Sequence, residues 1–178
     1  MRKILTSALV LLSASACAQD MPGPKGPMVT MAPAPLLTVM QGKTGTIPLS
    51  FRVANGFHIN SSQPKSEFLI PTTLKVDATT DIVIGKVVFP AGQDMSFPFS
   101  PDEKLNVYTG DFSVDVVVRP LHSVQKGKYI VRGTLKYQAC DTAACYPPKQ
   151  LPVSFEVRIS KAPPAPRKNP AQSPHAHS

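Results

Sequence analysis

The segment YIVRGTLKY, Tyr129–Tyr137, shows most directly how this chain folds. Tyr129, Val131, Leu135 and Tyr137 stand at odd-numbered positions, whereas the charged residues Arg132 and Lys136 stand at even-numbered ones. A period of two is typical of a β-strand with one buried face. The segment VDVVV, at 114–118, is similarly rich in β-branched residues, and no stretch keeps a helical period over about ten residues. The sequence therefore predicts an all-β domain.

Six strand-like segments are separated by turn signals such as Asn55-Gly56 and Lys126-Gly127. Strands of this number and spacing favour an immunoglobulin-like β-sandwich, with a small barrel as the alternative. The tryptophan and the widely spaced cysteine pair of antibody-type domains are absent from the sequence. The predicted strands are Thr46–Val53, Thr72–Asp77, Ile82–Phe89, Asn106–Arg119, Lys128–Tyr137 and Leu151–Ile159.

Proline marks the ends of the predicted domain. Five of the 20 prolines lie between Pro22 and Pro35, and five more lie between Pro163 and Pro174. Proline-rich stretches of this kind favour extended linkers rather than packed structure. The sequence is accordingly divided into a signal peptide (1–18), a Pro-rich linker (19–35), one domain (36–160) and a Pro-rich disordered tail (161–178).

The N-terminal residues predict export. Arg2 and Lys3 precede a short apolar run and the small residues of SASACAQD, which is the pattern of a signal peptide. The apolar run is too short to span a bilayer. Cys17 is either removed with this peptide or becomes the lipid-bearing first residue of a bacterial lipoprotein. The protein is therefore expected to be periplasmic or exported, with lipid anchoring through Cys17 as one alternative.

The charge balance argues against nucleic-acid binding. Of the formal net charge of +8, five positive charges lie in the predicted signal peptide and tail, which leaves +3 for residues 19–160. Within that range no cluster of Lys and Arg interleaved with aromatic residues stands out. The sequence therefore predicts no nucleic-acid partner.

Cys140 and Cys145 lie in the segment YQACDTAACYPPK, at the two ends of a four-residue loop. Opposed residues of an antiparallel pair lie close enough for a disulfide. Closing so short a loop restricts the unfolded chain by roughly 2 kcal/mol, against nearly 5 for a loop of about a hundred residues. A disulfide between these two cysteines would thus stabilise the fold only weakly. The pair serves either to hold a hairpin together or to exchange disulfides with a partner.

Two segments together resemble a known family. They are GFHINSSQPKSEFLIPTTLKV, Gly56–Val76, and YQACDTAACYPPKQLPV, Tyr137–Val153, and they are similar to the N-terminal periplasmic domain of the bacterial disulfide reductase DsbD. The resemblance covers nearly all of Leu36–Ile159. It implies an immunoglobulin-like fold and a relay of electrons between thioredoxin-like periplasmic proteins, such as disulfide isomerases and the thioredoxins of cytochrome c maturation.

The resemblance also implies residue roles. Cys145 would form the mixed disulfide with partners and Cys140 would resolve it. Phe97 and Phe99 would belong to a cap loop, Asp94–Ser100, that shields the pair.

Three further residues are candidates for tuning the site. His58 and Asn60 stand where the best-known members have tyrosines, and Tyr146 follows Cys145 directly. Ordinary packing is the alternative for His58, for Tyr146 and for the two phenylalanines.

The membrane-spanning and thioredoxin domains that usually accompany this domain are missing from the sequence. The resemblance therefore implies a monomeric carrier, a component of a protein-disulfide reductase whose membrane electron donor is a separate polypeptide. The alternative is a secreted or lipid-anchored binding module with a structural hairpin disulfide. Cys140, Cys145, His58 and His122 lack the usual spacing of zinc ligands, so no metal or other cofactor is expected.

Overall fold

The computed structural model describes residues 26–77 and 79–161. The predicted signal peptide, Cys17 and almost all of the predicted tail lie outside these residues. The described part of the chain contains no helix and therefore none that could cross a membrane. Its strands, in chain order, are β1 (Val29–Met31), β2 (Leu37–Met40), β3 (Gly45–Val53), β4 (His58–Asn60), β5 (Thr73–Val76), β6 (Ile82–Val88), β7 (Gln93–Phe97), β8 (Ser100–Tyr108), β9 (Asp111–Pro120), β10 (Gly127–Tyr137), β11 (Ala139–Cys140) and β12 (Lys149–Ser160).

Two four-stranded sheets form a sandwich. One has the strand order β1-β3-β9-β6 and the other the order β2-β12-β10-β5. Alternate side chains of both sheets, such as Leu49 and Val114 from the first and Leu135 and Val157 from the second, are buried in one apolar cluster, which we call the main core. The predicted all-β, immunoglobulin-like sandwich is confirmed.

The longest pairing joins β10 to β12 and leads directly to the cysteines. Their antiparallel register runs from Gly127 opposite Ile159 to Tyr137 opposite Lys149. Gly133, in the middle of β10, lies against β5, where a Cβ atom would stand only 2.5 Å from the carbonyl oxygen of Lys75. A side chain there would push β5 away. The two cysteines lie in the connection between the far ends of β10 and β12.

A third, smaller sheet has the order β11-β4-β8-β7 and lies beside the connection that contains the cysteines. Its β7–β8 hairpin has its own small apolar cluster, formed by Phe97, Leu105 and Val107 with the half-buried Leu69 packed against it. We call this the cap cluster. It is separate from the main core.

Two segments differ from the sequence-based expectations. The single strand predicted at Asn106–Arg119 is two strands, β8 and β9, because Gly110 adopts a left-handed conformation (φ 57°) in a tight turn between them. Met28 and Val29, in the predicted Pro-rich linker, are buried to 1% exposure, and β1 pairs with β3. The folded part of the chain therefore begins before residue 36, since these apolar side chains complete the edge of the main core.

Candidate redox site

Cys140 and Cys145 form a disulfide across the base of the loop 141–144. The two residues form an antiparallel bridge with their Cα atoms 3.9 Å apart. Cys140 belongs to β11 and is 1% exposed, whereas Cys145 is an exposed residue. Pro147 and Pro148 follow outside the sheet, and β12 begins only at Lys149, as expected of residues that cannot donate to a ladder. The disulfide thus joins an accessible residue to a buried one.

The side chain of Asp141 organises the loop between the cysteines. Its Oδ1 accepts hydrogen bonds from the backbone N–H groups of Ala143 (2.7 Å) and Ala144 (2.8 Å), and its Oδ2 accepts one from the hydroxyl of Tyr146 (2.6 Å). The Tyr146 and backbone donors lower the pKa of Asp141, because they stabilise its ionised form. The same bond from Tyr146 raises the pKa of that phenol. These bonds do not involve either sulfur, so the loop has a source of order besides the disulfide.

His58 lies directly beside the buried cysteine. It is the first residue of β4, and its register partner on β11 is Cys140. The imidazole is stacked on Phe97, with ring centroids 3.9 Å apart and planes at 21°, and Phe97 is in turn stacked on Phe99 at 5.4 Å. Phe97 is 8% exposed and Phe99 is 39% exposed. His58 is also stacked with Phe99, at 6.1 Å, so a cluster of three rings attaches the β7–β8 hairpin to His58.

Burial controls the charge of His58. The residue is 3% exposed, and desolvation lowers its pKa, with a smaller opposing effect from the negative charge of Asp141. Nε2 of His58 is buried and has no hydrogen-bond partner among residues 26–77 and 79–161. The neutral imidazole is the form that suits this apolar stack.

Asn60 and Tyr146 have different surroundings. The Asn60 amide donates to the carbonyl of Ile70 (2.9 Å), and its backbone carbonyl accepts from the Thr72 hydroxyl (2.5 Å). The Asn60 side chain thus holds the 61–72 segment rather than the Cys140–Cys145 pair. Tyr146 contacts the loop through Asp141, and its ring lies 6.0 Å from that of Phe57.

An open groove separates the cap from the cysteine loop. Its volume is about 320 Å³, and its lining includes Phe57, His58, Met95, Phe97 and Thr142. The groove is mainly apolar, and it reaches the loop through Thr142. It could hold a side chain of a protein that approaches Cys145.

Sequence reasoning missed Asp141 and Phe57, and it included Met95 in the cap loop without giving it a role. Asp141 could have been found, because an Asp that opens a short loop commonly accepts hydrogen bonds from the backbone two residues later. Phe57 and Met95 had no such local signal. In the part of the chain that the structure describes, no group of three or more His, Cys, Asp or Glu residues is arranged to hold a metal ion.

Comparison with known proteins places this site in a family. Residues 28–156 match the family "Thiol:disulfide interchange protein DsbD, N-terminal". No curated protein sequence matches the chain significantly.

Several solved structures are similar at low identity. The reduced DsbD N-terminal domain of Neisseria meningitidis is 19% identical (TM-score 0.42), with 63% of this chain and 77% of that chain covered. A structure of the complex between the DsbD and PilB N-terminal domains from the same organism contains a chain that is 18% identical (TM-score 0.39), with 61% of this chain and 73% of that chain covered. A type I cohesin of Pseudobacteroides cellulosolvens is 12% identical (TM-score 0.46), with 79% of this chain and 97% of that chain covered. No residue role follows from likenesses this distant.

The sequence match spans most of the chain and includes both cysteines, His58 and the whole cap hairpin. The chain therefore belongs to the family of the N-terminal domain of the thiol:disulfide interchange protein DsbD.

Proposed function

We propose that this protein is a thiol-disulfide exchange protein that relays electrons through the Cys140–Cys145 pair. The observation that best supports this function is the unequal exposure of the two cysteines. Exchange needs one sulfur that a partner can reach and a neighbour that completes the reaction. Cys145 is exposed and Cys140 is 1% exposed, which matches the roles of partner-binding and resolving cysteine.

Reduction of the pair proceeds in two exchanges. A thiolate of a reduced donor attacks Sγ of Cys145, and Cys140 leaves with the electron pair of the broken S–S bond and takes up a proton. The donor's second thiolate then attacks the donor sulfur of the mixed disulfide and releases Cys145 as a thiol. The donor is now a disulfide, and the chain holds two thiols.

Transfer to an acceptor reverses these steps. The Cys145 thiolate attacks a disulfide of the acceptor and displaces one of its sulfurs as a thiol. Cys140 then attacks Cys145, which re-forms the internal disulfide and releases the acceptor with two thiols. The electrons lost by the pair equal those gained by the acceptor, so no cofactor is required.

The rings of Phe97 and Phe99 act as the cap in this scheme. They are stacked with His58, the strand residue that pairs with Cys140, and they restrict approach to the disulfide from that side. A partner that displaces the hairpin would expose the pair at the moment of exchange. The hairpin is suited to such movement because its apolar cluster is separate from the main core.

The partners in this proposal are thioredoxin-like proteins of the periplasm, and the donor is a separate membrane protein. The N-terminal domain of DsbD from Neisseria meningitidis forms a complex of known structure with the N-terminal domain of PilB, which supports a protein partner of that kind here. We further propose a monomer with an N-terminal signal peptide at 1–18 and a Pro-rich tail after residue 160, and that Cys17 is either lost or lipidated.

A trapping experiment tests the proposal. The Cys140→Ala variant, mixed with periplasmic extract, is expected to accumulate a mixed disulfide between Cys145 and a thioredoxin-like protein, because nothing resolves it. The matched Cys145→Ala variant is expected to form far less adduct, since Cys140 is buried. Adducts should be identified by mass spectrometry after non-reducing electrophoresis.

The reduction potential separates this function from a structural hairpin disulfide. A carrier requires a potential well above the value of roughly −300 mV below which structural disulfides typically lie. A lower potential, together with the absence of any adduct of Cys140→Ala, would show that the pair only pins the loop.

A further inference from the structure

The outer surface of one sheet is strongly basic. β5, β10 and β12 expose alternate side chains on the surface opposite the main core. The cationic side chains at those positions are Lys75, Lys128, Arg132, Lys136 and Arg158, and all five residues are exposed. We call this surface the basic face.

The strand register brings these cations together. Lys128 is directly opposite Arg158, and Lys75 lies opposite Thr134, between the levels of Arg132 and Lys136. β10 rises by about 3.4 Å per residue, so the cations from Lys128 to Lys136 extend over about 27 Å. The patch is therefore long.

Few carboxylates neutralise this surface. Glu156 forms a 3.4 Å ion pair with Lys128, and Asp77 lies at the end of β5, whereas no ion pair to Lys75, Arg132, Lys136 or Arg158 is found within the described residues. Direct opposition of like charges, as at Lys128 and Arg158, destabilises an isolated sheet. An anionic partner would relieve that repulsion.

The other surfaces do not share this excess of positive charge. On the opposite sheet, Arg52 is paired with Asp111 at 2.6 Å, and Asp115 accompanies the remaining cations Lys86 and Arg119. The region around the cap has exposed carboxylates at 67, 94, 102 and 103 against two lysines, Lys65 and Lys104, and Lys65 is paired with Asp94 at 2.6 Å. The small net charge of residues 19–160 is therefore distributed unequally among the surfaces of the domain.

Two apolar side chains point out among the cations. Ile130 is 51% exposed on β10 between Lys128 and Arg132, and Met40, opposite Ser160 at the edge of the same sheet, is 39% exposed. No aromatic side chain occupies an outward position of β10 or β12. Single-stranded nucleic acid is usually bound on stacked aromatic rings, whereas a bilayer interface accepts cations and short apolar side chains together.

We propose that the basic face binds the anionic phospholipid headgroups of a membrane. Juxtamembrane Lys and Arg side chains each strengthen adsorption to such a surface by about fivefold. The cysteine loop connects the ends of β10 and β12, so it lies beyond the end of the basic face rather than on it. A protein adsorbed through this face would keep Cys145 accessible at the membrane surface. The proposal does not depend on the redox function.

Vesicle binding tests the proposal on the full chain carrying Cys17→Ser, so that no lipid can be attached there. Vesicles of phosphatidylcholine with phosphatidylglycerol, at low salt, are expected to sediment the protein, and vesicles of phosphatidylcholine alone are not. The double variant R132E/K136E should bind at least about tenfold more weakly. The control K86E/R119E has the same change of charge on the opposite sheet, and it should bind nearly as well as the parent.

A measurement without surface mutations accompanies this test. Acetylation of lysines, quantified by mass spectrometry, should be slowed by the anionic vesicles at Lys75, Lys128 and Lys136 but not at Lys86 or Lys104. Thermal unfolding verifies that both double variants are folded. Equal binding to both kinds of vesicle, equal loss in the two double variants, or uniform protection of all lysines would overturn the proposal. Tighter binding to a single-stranded oligonucleotide than to the anionic vesicles would also overturn it.

Discussion

The sandwich and the cap differ in how many apolar side chains they bury. The main core contains fully buried side chains from both sheets, such as Leu49 and Leu135, whereas the cap cluster has only three buried residues and the half-buried Leu69. Burial of apolar surface is the dominant source of stability. The sandwich should therefore remain folded under conditions in which the cap hairpin opens locally.

The disulfide lies at the boundary between these two regions. Cys140 follows Ala139, which is buried in the main core just after β10, and the neighbouring His58 is in contact with the cap ring of Phe97. Cys145 lies on the outer side of the same bond. A site placed in this way can combine a fixed sulfur with a removable cover, and the following predictions test that division.

The largest effect is expected from truncation in the main core. Leu135→Ala removes a fully buried side chain that pairs with Leu74 and Leu151 on neighbouring strands, and it should lower the free energy of unfolding by about 2–5 kcal/mol. The matched change in the cap cluster is Leu105→Ala. It should cost less in global stability, because the small cluster can unfold locally. Urea unfolding measures both, and equal losses would contradict the separation of the two regions.

A smaller but more specific effect is expected at the cap. Phe97→Ala removes the ring that lies nearest to His58 and that is also stacked on Phe99. Aromatic pairs contribute about 0.5–1.5 kcal/mol beyond burial, so opening of the cap should become at least roughly two- to tenfold more frequent, and the lost burial of the ring adds to this increase. The rate at which a small-molecule thiol reduces the disulfide should rise by the same factor. Phe112→Ala, which breaks a stack in the main core, is the control and should leave this rate nearly unchanged.

The same division explains what the sequence could predict. The sandwich follows from the alternation of side chains such as Val131 and Leu135, which determines the buried face of β10 without knowledge of its neighbours. The cysteine loop was similarly accessible, because its residues are consecutive. β1 was not predicted, because a strand of only three residues in a proline-rich stretch shows no periodic pattern.

Contacts between distant segments were less predictable. The family resemblance indicated a cap at Asp94–Ser100, but the stacking of Phe97 on His58 depends on how β4 pairs with β8. Hydrophobic period does not specify that pairing. The basic face could not be predicted for the same reason. The outward positions of β10 can be read from the sequence, but the register of β10 with β5 and β12 cannot.

Opening of the cap should depend on pH through His58. Burial lowers the pKa of His58 below its ordinary value of 6.5, so the folded form with a closed cap binds a proton less readily than an opened or unfolded one. The stability contributed by the neutral imidazole is therefore present above pH 6.5 and declines as the pH falls below it towards the lowered value. Reduction of the disulfide by a phosphine should accelerate relative to pH 7 over that range.

The control for this effect is His58→Phe. The variant retains a ring for stacking but has no group that titrates, so the acceleration at acidic pH should disappear. The negative charge of Asp141 acts on His58 in the opposite direction and raises the pKa that burial lowers. Because its own pKa is lowered, it stays ionised throughout this range. An acceleration that persists in His58→Phe would assign the pH dependence to another group.

The smallest effect is expected within the cysteine loop itself. Hydrogen bonds from Tyr146, Ala143 and Ala144 lower the pKa of Asp141 below 3.8, so these bonds persist above that value and are lost as the pH falls through the lowered one. The amide proton shifts of Ala143 and Ala144, followed by NMR, should titrate with a midpoint below 3.8 in both the oxidised and the reduced protein. Asp141→Asn should abolish the titration. A midpoint that appears only in the oxidised protein would mean that the disulfide, rather than Asp141, orders the loop, and that reduction releases Cys145 from its position.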